Sequence, residues 1–144
     1  MNTTNHIEAL INARNRVTTA TVAEHAYLND SIKVICKAIS AGIPIAEIAS
    51  TLHTSRNAIY KRLNRLDPTE RTQLSAEGAN SDPTDLRAEL HTLGEQRLAI
   101  STELTDSIRK RAQAVRAAHA NGTSQAAIST HAGLTAGRIS QILH

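Results

Sequence analysis

The sequence predicts an all-α chain made of two small helical units. Three observations carry that prediction: an interior that only aliphatic side chains can build, short capped segments that recur at an offset of eighty residues, and two stretches with apolar residues three or four apart. There is no Trp or Phe and only Tyr27 and Tyr60, so Ala, Leu, Ile and Val must fill the core, as they do between close-packed helices. At 144 residues the chain supports one modest domain or two very small ones, and its two halves read alike. The expected division is residues 1–66, a linker at 67–82, and residues 83–144.

Laid without a gap, Ala41–Leu63 falls on Asn121–Leu143. Gly42 meets Gly122, Ala46 meets Ala126, Ile48 meets Ile128, Ile59 meets Ile139 and Leu63 meets Leu143. Upstream, Ile35 meets Val115, Ala38 meets Ala118 and Leu10 meets Leu90. Each copy reads as an approach helix stopped by glycine, a short helix, a turn, and a second short helix. Gly42 and Gly122 suit the stop because glycine enters the left-handed conformation freely. Pro44 and Ser124 restart the chain by different chemistry, a first-turn proline and a hydroxyl cap. The first short helices, about 45–52 and 125–132, put Ile48/Leu52 and Ile128/Ala132 on one face. His53-Thr54 and Gly133-Leu134 make the turns. Ser55 and Thr135 cap the final helices, about 55–65 and 135–143, which bury Ile59/Leu63 and Ile139/Leu143 and leave their other faces polar.

The string Ala132-Gly133-Leu134-Thr135-Ala136-Gly137-Arg138-Ile139-Ser140-Gln141-Ile142-Leu143 resembles the turn and recognition helix of bacterial and phage helix-turn-helix regulators. Ile45-Ala46-Glu47-Ile48-Ala49 resembles the first helix of the same family. Two motifs, at about 42–63 and 122–143, make the chain similar to tandem regulators of the phage or plasmid repressor kind and to some actinobacterial ones. His53 departs from the usual turn glycine, and Ser129 from the usual small alanine.

The resemblance implies double-stranded DNA as partner, read by the N-terminal part of each last helix in the major groove. Carried over residue by residue, Arg56, Asn57 and Lys61 face the groove, with Arg suited to guanine and Asn to adenine. Ser55, Tyr60, Arg62 and Arg65 then contact the backbone or the groove edge. In the second copy the matching positions are Ala136, Gly137 and Gln141, the small residues allowing close approach and Gln141 being suited to adenine, with Thr135 as the cap and Arg138 and Ser140 beside them. The two motifs should therefore prefer different sequences.

Charge follows the same division. Residues 29–72 carry seven Lys/Arg against four Asp/Glu and residues 108–144 carry five against none, whereas residues 73–107 carry two against seven. Cations thus gather on the two motif segments, the footprint of a polyanion partner.

Residues 84–120 read as one long helix, interrupted at Gly94 if anywhere and started by Asp82-Pro83-Thr84-Asp85. Its Leu86, Leu90, Leu93, Ile100 and Leu104 have coiled-coil spacing, with Arg97 on the seam. That stripe needs a partner: the same helix of a second chain in a homodimer, the first approach helix (Ile7, Leu10, Ile11, Val17, Val22, Leu28), or the first unit's short helices. The β-branched run Val17–Val22 is a candidate helix break, and a third, degenerate motif around Thr19–Ile32 is an alternative reading of it. Residues 66–82 read as a linker with about one helical turn after Pro68.

Other classes find less support. Cys36 is the only cysteine and sits in an apolar helical pattern, so it reads as a core residue that cannot pair within the chain. The seven histidines (His6, His25, His53, His91, His119, His131, His144) form no close pair of the kind metal sites use. No phosphate loop, carboxylate pair or partnered nucleophile is recognisable, so neither an enzyme nor a cofactor is expected. No apolar run is long enough for a bilayer and the N-terminus lacks signal-peptide character, which predicts a cytoplasmic, nucleoid-associated protein and no membrane partner. Two alternatives stay open: a coiled-coil adaptor whose basic units bind protein, and the DNA-binding arm of a recombinase or transposase system.

Overall fold

The computed structural model describes residues 3–144, and every regular element among them is a helix. In chain order these are α1 (Thr3–Ser40), α2 (Ile45–Thr51), α3 (Arg56–Leu63), α4 (Pro68–Ala79), α5 (Pro83–Ala120), α6 (Gln125–Ala132) and α7 (Ala136–Leu143). The eighty-residue offset extends to the element bounds: α1 and α5 are both 38 residues long and start at Thr3 and Pro83, while α3 and α7 start at Arg56 and Ala136.

The ends of the two long helices are built alike. Gly42 and Gly122 take φ of +93° and +88°. The amide of Ile43 then reaches back to the Ala38 carbonyl at 3.0 Å, and that of Thr123 to Ala118 at 3.0 Å, while Gly42 and Gly122 bond to Ile39 and His119 at 3.1 and 3.0 Å. Both are Schellman ends, in which a left-handed residue lets two otherwise orphaned carbonyls be satisfied.

The chain forms two compact units, one of them continuous and the other assembled from the two ends of the described chain. The first unit is Ala23–Ser101; the second joins residues up to Val22 to Thr102–His144. Each long helix therefore gives one half to each unit. In the first unit Tyr27, Ile35, Cys36 and Ala38 of α1 share a core with Ile48 and Leu52 of α2, Ile59 and Leu63 of α3, Leu74 of α4, and Leu86, Leu90 and Leu93 of α5. In the second, Leu10 of α1 packs with Val115 and Ala118 of α5, Ile128 and Ala132 of α6 and Ile139 of α7. Leu10 and Leu90, equivalent in the repeat, each complete the core beneath the short helices of the other copy.

The coiled-coil stripe thus finds its cover inside the chain: Leu86, Leu90 and Leu93 are buried against α1 to α4. Arg97, on the seam, lies half-buried and donates to the His53 carbonyl at 3.3 Å.

Three local expectations need correction. The β-branched run Val17–Val22 does not break α1 and leaves no room for a third motif, because the Thr21 hydroxyl bonds back to the Val17 carbonyl at 2.8 Å and Ala20 is buried. Gly94 does not interrupt α5. A Cβ there would stand 2.2 Å from the Thr51 carbonyl oxygen, so the glycine serves close approach to the end of α2. Residues 68–79, expected to be mostly linker, form the three-turn α4. Asp67 caps it by accepting from the amides of Thr69 and Glu70, Pro68 starts it, and Leu74 and Gly78 bury its inner side.

Among the described residues no helix is long and apolar enough to cross a membrane. Cys36 is buried, with its Sγ 3.6 Å from the Ser75 hydroxyl.

Candidate nucleic-acid interface

Each short-helix pair turns on one left-handed residue. In the second unit it is Gly133 at φ +67°; in the first the equivalent position is His53 at φ +53°, the only non-glycine with positive φ among the described residues. A left-handed non-glycine costs about 1–2 kcal/mol, so the missing turn glycine is absorbed as strain while the turn keeps its shape. Ser129, the other departure, is half-buried and donates its hydroxyl to the Leu134 carbonyl across the turn.

The second short helix of each pair is held at its start by the predicted cap. Ser55 Oγ accepts from the Ala58 amide at 3.1 Å and Thr135 Oγ1 from the Arg138 amide at 3.1 Å. With Ile59 and Ile139 fully buried on the inner face, the helical period turns the intervening positions outward. On α3 these are Arg56, Asn57, Tyr60 and Lys61, all exposed, with Arg65 exposed just past the helix end. On α7 they are Ala136, Gly137, Arg138, Ser140 and Gln141, also exposed. Arg138 donates to the Gln141 side-chain oxygen at 3.0 Å, so these two lie together on one face.

Arg62 departs from its expected place. It is 6% exposed and turned inward, with its guanidinium over the Tyr27 ring at 5.9 Å. Its position after Ile59 on an eight-residue helix puts it on the buried side, so it leaves the set of outward cations.

Ion pairs sort the remaining cations. Lys37 pairs with Glu77, Arg87 with Glu47, Arg16 with Glu103 and Asp106, and Arg109 and Lys110 with Asp106. Glu77, Glu103 and Asp106, three of the seven carboxylates of residues 73–107, are engaged in this way. Among the described residues no ion pair engages Arg56, Lys61, Arg65, Arg111 or Arg138, and the same holds for Arg14, Lys33, Arg71, Arg97 and Arg116 on α1, α4 and α5. Arg111 of α5, absent from the sequence-derived set, is pushed below its ordinary pKa first by burial and then by the charge of Arg138. Arg111 and Arg138 thus lie near enough to repel one another, and neither has a carboxylate partner among the described residues. The only sequence signal for Arg111 was the run Arg109-Lys110-Arg111, and nothing there tells which of the three stays unpaired.

No family model, curated protein or solved structure matches the chain.

Proposed function

We propose that the chain is a sequence-specific, duplex-DNA-binding transcriptional regulator, a repressor of the phage or plasmid kind, with α2–α3 and α6–α7 as two helix-turn-helix motifs. The observation that carries this reading is the twice-built second helix: capped by Ser55 or Thr135, buried through one isoleucine, and presenting an outward face free of carboxylates. Such a face suits the floor of the major groove. Arg56 and Asn57 carry paired donors and acceptors for guanine and adenine, and Lys61 and Arg65 neutralise phosphate. On α7 the small Ala136 and Gly137 permit close approach, and the joined Arg138 and Gln141 offer an amide to adenine. Arg111 adds charge from α5.

Titrating binding of the whole chain to random-sequence duplex against salt tests the assignment. About four cations on phosphate give a slope of log affinity on log salt of about −3 to −5. Binding indifferent to salt, or none at low salt, would overturn DNA as the partner and return the short-helix pairs to a protein-binding role.

A further inference from the structure

The inner face of α3 carries a cation where an apolar side chain would serve stability better. Arg62 donates to Ser31 Oγ at 3.4 Å and lies over the Tyr27 ring, both residues belonging to α1. Ser31 is fully buried and gives its own proton to the Leu28 carbonyl at 2.9 Å, which leaves its oxygen to accept from the guanidinium. No carboxylate pairs with Arg62 among the described residues, and the buried Tyr27 hydroxyl has no partner either. A guanidinium left only 6% exposed, with one long hydrogen bond and no carboxylate, is a poor exchange for a methionine of similar length. What it supplies is geometry, since a planar fork held over a ring at 5.9 Å and tied to one oxygen restrains how α3 is rotated about its axis.

That rotation decides where the opposite face points. A turn of about 20° moves side-chain positions some 5 Å from the axis by roughly 2 Å, more than a paired hydrogen bond tolerates. We propose that Arg62 is a positioning residue: it sets the angle at which Arg56 and Asn57 meet the bases, without itself touching DNA. The proposal rests on the DNA-binding reading above. It is local to α3, because the eighty-residue offset places Arg111 and Ile142 where the first unit has Ser31 and Arg62.

The test uses the whole chain with Arg62→Met, Arg62→Lys and Ser31→Ala, reading base preference by selection from random duplex, the salt slope, and the thermal midpoint. Arg62→Met should melt at or above the wild-type temperature and keep the salt slope. It should lose about tenfold in discrimination at the base pairs that Arg56→Ala also relaxes, while the pairs read by α7 stay unchanged. Arg62→Lys, which keeps the charge without the planar fork, should fall between. Ser31→Ala should relax the same base pairs by a few-fold, and it decides the matter should Arg62→Met fail to fold. A salt slope smaller by about one in Arg62→Met makes Arg62 a phosphate contact and overturns the proposal; so does unchanged base preference in both Arg62→Met and Ser31→Ala. A wild-type chain that binds no duplex overturns the DNA reading and this proposal with it, whereas wild-type preference that survives both variants overturns this proposal alone.

Discussion

Gly78→Ala adds one methyl group where α4 meets the last turn of α1. The new Cβ would stand 2.3 Å from the Lys37 carbonyl oxygen, 2.5 Å from its Cα and 2.8 Å from its carbonyl carbon. All three are backbone atoms, so no side chain can swing aside, and the helices must part by roughly 1 Å to regain ordinary contact near 3.5 Å. Leu74 and the Cys36–Ser75 contact belong to the same interface and would loosen together. Overpacking of this kind costs about 1–3 kcal/mol, here toward the upper end. Alanine's better helix propensity recovers about 0.5 kcal/mol so near a helix end. The net loss of about 2 kcal/mol lowers the melting temperature by about 6 °C for a chain of this size. Gly137→Ala is the control, because nothing lies within 4 Å of its added Cβ and α7 is helical there. That variant, also near a helix end, should gain about 0.5 kcal/mol. Thermal and urea melts of both decide it; a Gly78→Ala protein as stable as wild type would refute the close approach of α4 and α1.

Further outcomes follow from the make-up of the two cores, the Arg16 cluster and the exposed cations. Leu10→Ala should cost about 2–5 kcal/mol and strip hydrogen-exchange protection from α6 and α7 before α2 and α3, although Leu10 lies far from them in sequence; the reverse order would contradict the second unit's composition. The Glu103 carboxyl is held below its ordinary pKa chiefly by its hydrogen bond from Arg16, and that of Asp106 chiefly by its bond from Arg109, with Arg16 contributing. Carboxyls with folded pKa values below their unfolded ones add stability that is complete above the ordinary range near pH 4 and drains as pH falls through the lowered values. Arg16→Gln should therefore be less stable than wild type at neutral pH, and the gap should narrow toward pH 3; a gap constant with pH would remove the electrostatic account. Arg65→Ala should weaken binding to all duplex sequences alike and reduce the salt slope by about one, whereas a change in base preference would move Arg65 to a base contact.

The local chemistry of the helix boundaries was legible because it is written in single residues. Ser55, Thr135, Gly42 and Gly122 announce caps and stops whose geometry depends on little else. What was not legible depends on residues distant in sequence. α4 looked like linker because only Leu74 and Gly78 of its twelve residues are buried, too few for a periodic signal. Gly94 looked like an interruption because the reason for it, the Thr51 carbonyl, lies on another helix. The leucine stripe admits three partners in the sequence, and that α1 and the short helices together bury Leu86, Leu90 and Leu93 depends on residues far from them along the chain. Of the candidate contact residues, Arg62 alone turned inward, since cations on a short basic helix read alike until burial separates them. Arg111 was missed for the converse reason, its neighbours being neutralised by an aspartate one turn away.

The most direct test of the account selects sites for the whole chain from a random duplex pool and repeats the selection with Arg56→Ala and with Gln141→Ala. Two recognition helices of unlike chemistry predict a composite site with two separate tracts, Arg56→Ala relaxing one base pair in one tract by about 1–3 kcal/mol and Gln141→Ala relaxing the other. A pool that yields no preferred sequence, or one tract that answers to Arg56 while Gln141→Ala changes nothing, would contradict the claim that both short-helix pairs read DNA.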